Sequence, residues 1–233
     1  VAWGWNLHGQ SNAPAGLSNV TAISSGYAHH LALKGDKTVA AWGYNNGGQT
    51  NVPAGLSNVV AIAAGRYHSL ALKSDGTVVG WGTNQYGQIS IPTGLVGVIA
   101  IAAGGDHSLA LTTNGTVIGW GEDNYGQSTV PPELSNVTAV AAGRYHSLAL
   151  KSDGSVMGWG RDNLGQIAVP AGLSNVTAIA AGWYHNLART EDGAIVSWGS
   201  NGNLLLAVPS GVSSVSAMAA GLAHSLAVKT ATE

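Results

Sequence analysis

Apolar and polar positions recur along this chain in the same order, unit after unit. Val59 to Ala64 is an unbroken run of small apolar residues, and His68 to Lys73 alternates, with Leu70 and Leu72 on one side. Thr77 to Gly82 is rich in β-branched residues and ends in Trp-Gly. Short apolar or alternating runs of this kind are strand signals, so each unit predicts three strands, A, B and C. Ser74-Asp75-Gly76 between B and C is a hairpin signal, repeated as Thr113-Asn114-Gly115, Ser152-Asp153-Gly154 and Glu191-Asp192-Gly193. Thr83 to Gly97, with its Gly, Pro, Asn and Gln, predicts a long connection. No segment predicts a helix.

The period is 39 residues. Trp3, Trp42, Trp81, Trp120, Trp159 and Trp198 fall at that spacing, each followed by Gly. His29, His68, His107, His146, His185 and His224 keep the same step, as do Pro14, Pro53, Pro92, Pro131, Pro170 and Pro209. A fixed period of this size decides the architecture. A three-stranded sheet cannot bury both faces alone, so the units must stack on one another. Strand A, with Ala and Ile on both faces, suits the crowded inner edge of radially packed sheets. The expectation is an all-β single domain over residues 1–233: a six-bladed β-propeller of mainly three-stranded blades. The last unit supplies Val215 to Ala220 and His224 to Lys229, then runs out as Thr230-Ala231-Thr232-Glu233 without a hairpin. Val1-Ala2-Trp3-Gly4 reads as a strand C, so the ring is expected to close by this N-terminal strand pairing with the C-terminal blade. Leu204-Leu205, standing where other units have Gly-Gln, marks a divergence expected of a true terminus.

Composition narrows the function. Charged residues are 9% of the chain and the formal net charge is -2, so no basic surface waits for nucleic acid. No apolar run approaches the roughly 20 residues of a membrane span. Cys is absent, which removes disulfides and thiolate chemistry. The histidine ring is the most tempting feature, since imidazole serves as metal ligand and general base. Sixfold repetition after a Gly-x-x turn suits instead a structural hydrogen bond made once per blade. Asp106-His107-Ser108 carries the letters of a triad, but neighbours in a strand point to opposite faces and form no relay. The expectation is no enzyme, no metal and no cofactor. Asn19, Asn114, Asn136 and Asn175 stand in Asn-x-Thr sequons because repeat positions are copied.

Chain direction gives a sharper argument. Strand A ends at the Gly-x-x-His turn, B runs back to the hairpin, and C returns to the side where A ended. The Gly-x-x-His turns and the loops after Trp-Gly therefore share one face of the disc. The hairpins of the opposite face are near copies. On the shared face the turns read Tyr27-Ala28, Arg66-Tyr67, Gly105-Asp106, Arg144-Tyr145, Trp183-Tyr184 and Leu222-Ala223. The adjoining loops include Trp5-Asn6-Leu7-His8, Asn84-Gln85-Tyr86, Asp123-Asn124-Tyr125 and Asn201-Gly202-Asn203. Tyr and Trp mixed with Asn, Arg and Asp is the composition of a protein-binding hot region. Trp5 and Trp183 lie outside the Trp-Gly pattern, which singles them out as functional candidates.

Residues 61 to 73 (AIAAGRYHSLALK), with the Asp-Gly-Thr-Val-Val-Gly-Trp-Gly of 75 to 82, resemble the regulator of chromosome condensation repeat, six times over. The short unit and its Gly-Gln-x-x-x-Pro connection (Gly48, Gln49 and Pro53; Gly126, Gln127 and Pro131) are similar in style to the β-lactamase inhibitory protein II family of secreted bacterial propellers. That resemblance implies a class A β-lactamase as partner, with contacts at Tyr67, Asp106, Tyr145 and Tyr184 on the turns and at Tyr86 and Tyr125 on the loops. Both kinds of relative generally have seven blades, whereas this chain has six units and no Phe. The complete set of candidate partner-binding residues is Trp5, Tyr67, Tyr86, Asp106, Tyr125, Tyr145, Trp183 and Tyr184. The expected protein is a bacterial monomer, secreted or exposed at the cell envelope, that binds a protein without catalysis. A carbohydrate-binding propeller and an amplified or engineered scaffold without a ligand are the alternatives.

Overall fold

The computed structural model describes residues 2–200, 202 and 206–229. Val1, Asn201, Asn203, the Leu204-Leu205 divergence and the Thr230 to Glu233 tail lie outside the described residues. Five three-stranded antiparallel sheets follow one another along the chain. They are β1–β3 (Val20–Ser25, His29–Lys34, Val39–Gly43), β4–β6 (Val59–Ala64, His68–Lys73, Val78–Gly82), β7–β9 (Val98–Ala103, His107–Thr112, Val117–Gly121), β10–β12 (Val137–Ala142, His146–Lys151, Val156–Gly160) and β13–β15 (Val176–Ala181, His185–Thr190, Ile195–Gly199). A sixth sheet has two strands among the described residues, β16 (Val215–Ala220) and β17 (Ser225–Lys229). The expected strands A, B and C are these strands, and the array is that of a six-bladed propeller.

Each sheet keeps one register. In the second, Ala64 opposes Ser69 and Leu72 opposes Val78, and the first strand bulges between Val59 and Ala61. The hairpins are tightened by their acid: Asp75 accepts from the Thr77 amide and hydroxyl and from Lys73 Nζ. Successive first strands touch, β1 to β4 to β7 to β10 to β13 to β16, which makes them the inner wall.

The core lies between blades, not within them. Trp81 packs with Val59, Ala64 and Ala71 of its own blade and with Leu31 and Leu33 of the one before. Trp120 does the same against Leu70 and Leu72, Trp159 against Leu109 and Leu111, and Trp198 against Leu148 and Leu150. Each indole also donates Nε1–H across the seam, Trp81 to Gln49 O and Trp120 to Gln88 O, both at 2.9 Å. The tryptophans are thus wedges between neighbours. A large apolar ring with one polar handle suits the place, because its N–H finds a partner when buried.

Candidate functional site

The histidine ring resolves into interblade bonds. His107 Nε2 lies 2.9 Å from Ser147 Oγ of the next blade, and that hydroxyl donates to Gln127 O at 2.8 Å. The hydroxyl proton is committed, so the imidazole must donate from Nε2. The same relay joins His29 to Ser69 and His68 to Ser108, Asn186 stands in for serine opposite His146, and His185 bonds Ser225 Oγ. Burial, with help from the neighbouring imidazoles, lowers the pKa of His68 and His107 to about 3. These side chains point at other blades rather than at one another's ligands, so they are structural.

The two sets of connectors do share a face. Each loop leaves its Trp-Gly by donating an amide to a carbonyl of the neighbouring turn: Thr83 to Tyr67, Glu122 to Asp106, Arg161 to Tyr145 and Ser200 to Tyr184, at 2.8–2.9 Å. On that face the aromatic rings form one arc. Trp5 meets His8 with centroids 5.3 Å apart, and His8 meets Tyr44 at 4.6 Å. Tyr44 touches Tyr67 at 5.8 Å, and Tyr67 touches Tyr27 at 5.9 Å. Tyr27 of the first blade then stacks on Trp183 of the fifth at 5.2 Å. Trp183 in turn meets Tyr184 edge-on.

Guanidinium groups continue the arc. Arg144 lies 4.7 Å from the Tyr145 ring, 4.7 Å from Trp183 and 5.7 Å from Tyr184, and donates Nη1–H to the Tyr184 hydroxyl. Arg161 sits 4.8 Å from Tyr125 and 5.4 Å from Tyr145, and those two rings touch at 5.2 Å. Arg66 covers Tyr67 at 4.8 Å and faces Asp106 at 3.6 Å. Cation–π contact holds such groups in place.

Seven of the eight candidates lie at or partly at the surface. Trp5, Tyr86 and Tyr125 are exposed, and Tyr67, Tyr145, Trp183 and Tyr184 are half-buried. Tyr86 stands apart from the arc in its own loop, its amide bonded to Gln88 Oε1. Asp106 requires correction: it is 6% exposed, beneath the face rather than on it. It accepts from Gln88 Nε2 and pairs with Arg66, and burial raises its pKa although Arg66 and Arg144 act against that rise. Its part is to hold Arg66. Residues that single-letter reasoning passed over are Arg144, Arg161, Tyr27 and Tyr44. Their signal was position, since each stands in a turn or just after Trp-Gly.

Solved structures of similar shape include human WBSCR16, at 25% identity over 91% of this chain and 72% of that one, with a TM-score of 0.76. The CRINKLY WD40 ectodomain of the Arabidopsis thaliana receptor kinase ACR4 matches at 21% identity over 98% and 83%, with a TM-score of 0.77. Yeast RCC1 (Prp20), solved with Kap60 bound, matches at 23% identity over 90% and 68%, with a TM-score of 0.72. No curated protein sequence gives a significant match. The family model for the RCC1 repeat aligns with residues 20–49, 59–88, 98–127, 137–166 and 176–203, each segment taking in one blade's three strands and the loop after its Trp-Gly. With the blades, the wedges and more than half of the sequence in agreement, the chain belongs to the regulator of chromosome condensation (RCC1) repeat family.

Proposed function

We propose that this chain is a non-enzymatic binding propeller whose ligand is a folded protein, held on the face that carries the arc from Trp5 to Tyr125. The observation that carries the reading is the arc itself. Its rings and guanidinium groups are packed on one another, so a partner meets a surface already ordered, and little side-chain entropy is lost on binding. The opposite face bears repeated Asp-Gly hairpins with no such set. Yeast RCC1 binding Kap60 is an instance of a family relative with a protein partner. Sugar recognition is less well served, because stacking needs free ring faces and Tyr27 and Trp183 cover each other at an interplanar angle of 29°.

Class A β-lactamases are the first partners to try, and secretion or exposure at the cell envelope is part of the same proposal. The test is a pull-down from secreted bacterial proteins with wild type beside the double variant Trp183→Ala, Tyr145→Ala. Loss of about 2 kcal/mol or more of binding, with the melting temperature nearly kept, is the expected outcome. Equal capture by both proteins would remove the arc as the contact surface. Nanomolar inhibition of a class A enzyme would name the partner, whereas a flat dose response would strike that class. A glycan array with several equivalent sites per chain would replace the proposal with a lectin.

A further inference from the structure

The third blade departs from the other five at two neighbouring positions of the binding face. Directly after its Trp-Gly stands Glu122, where the other units have Trp5, Tyr44, Thr83, Arg161 and Ser200. In its turn stands Asp106, where they have Ala28, Tyr67, Tyr145, Tyr184 and Ala223. The two residues adjoin, since the Glu122 amide donates to Asp106 O at 2.8 Å. Copying of the repeat does not account for a pair of carboxyl groups that no other unit carries at these places.

The two carboxyl groups are not equally engaged. Asp106 turns one oxygen to Gln88 Nε2 at 3.2 Å and the other to Arg66 at 3.6 Å. Glu122 is 8% exposed, and its Oε1 accepts from Asn124 Nδ2 at 2.9 Å. Its Oε2 is buried with no hydrogen-bond partner. Glu122 enters no salt bridge among the described residues. The arginines of this face are engaged elsewhere: Arg66 with Asp106, Arg144 and Arg161 over aromatic rings. A buried carboxylate oxygen without a donor or a counter-charge is a cost the fold bears until something bound supplies both.

Resting on the reading that this face binds a protein, we infer that Glu122 is the socket for one lysine side chain of that partner, whose ammonium donates to Oε2. The choice of lysine follows from what is free. A guanidinium fork is best met by two acceptors in one plane, and Asn124 already holds one of the two oxygens. An ammonium is a point charge satisfied by a single oxygen. A neutral donor would fill the bond but leave the buried charge unmatched. Asn124 is exposed, so the carboxyl group lies one side chain below solvent, a depth that the long unbranched lysine stem can span. The socket lies three residues before Tyr125, so an ammonium seated there anchors a partner that also covers the end of the arc.

Small probes test the socket on the whole chain without any partner. The glutamates are Glu122, Glu133, Glu191 and Glu233, so labelling glutamate Cδ with carbon-13 gives few carboxyl signals, and Glu122→Gln assigns the one in question. The protein is titrated with the amides of N-acetyl-lysine, N-acetyl-arginine and N-acetyl-glutamine. The Glu122 signal is expected to move and saturate with the lysine probe, about tenfold more tightly than with the glutamine probe, because a hydrogen bond between two charged groups is the stronger kind. The arginine probe is expected to bind more weakly than lysine. Asn124→Ala, which frees Oε1, is expected to bring arginine level with lysine or above it. A Glu122 signal that lysine leaves unmoved, or that glutamine moves equally well, overturns the inference. Arginine preferred by the wild type, or a preference that Asn124→Ala leaves unchanged, overturns the single free oxygen as the ground for lysine. A silent Glu122 leaves the aromatic arc standing, whereas a failed pull-down beside a saturating lysine response strikes the arc and not the socket.

Discussion

The glycine of every Trp-Gly pair is fixed by backbone geometry. Gly43, Gly82, Gly121, Gly160 and Gly199 have φ between 98° and 104°, where the chain leaves the sheet for the face. A Cβ on Gly160 would also lie 2.7 Å from Tyr145 O and 3.0 Å from His146 Cα. Gly160→Ala should therefore cost about 1–3 kcal/mol from the strained dihedral alone, read as a lowered denaturant midpoint. The sequon asparagines have a similar origin: Asn19, Asn136 and Asn175 take φ of 53–57°, a left-handed conformation that Asn tolerates well. The buried histidines carry the residue-scale pH dependence. With folded values of about 4 for His29 and His146 and about 3 for His68 and His107, the charge-free state is what folding selects. Stability should be complete above the ordinary imidazole value and fall as pH drops toward about 4, as chemical denaturation across that range will show. A His107→Gln variant should show a shallower decline.

At the scale of strands and wedges, the seam is the unit of stability. Each blade lends its leucines to the next blade's tryptophan, so a seam is lost from two blades at once. Trp120→Ala removes an indole that is 7% exposed, together with its bond to Gln88 O. The expected cost is about 3–5 kcal/mol, and an unchanged melting temperature would contradict the wedge. Strand bounds were legible because period-2 alternation and Asp-Gly hairpins recur without slippage. The sixth sheet was less so: it has two strands among the described residues, and the hairpin signal that marks the other units is missing from its sequence. Arg189 of the fifth sheet, standing where the second strands of the first four have leucine, reaches from Thr177 Oγ1 to the carbonyls of Val215 and Ser216 in the sixth.

Across the whole molecule, the arc joins side chains from five of the six repeats. Arg144 is its hub, with three rings around one guanidinium. Arg144→Lys keeps the charge but loses the flat group that lies on the rings, so partner binding should weaken about as much as with Arg144→Ala. Titration of the captured partner by calorimetry checks this, and binding that survives in the lysine variant would place the charge, not the plane, at the centre of recognition.

Periodicity alone determined the strands, the blade count, the wedge positions, the structural histidines and the sharing of one face by two sets of loops. All of these follow from local pattern copied at a constant step, because like units that pack on one another repeat the same contacts at every seam. Only the tertiary structure decided which side chains on that face touch, that Asp106 lies beneath it, and that Tyr27 spans the gap to Trp183. Those outcomes depend on ring curvature, which brings together residues more than a hundred positions apart and which no local pattern encodes.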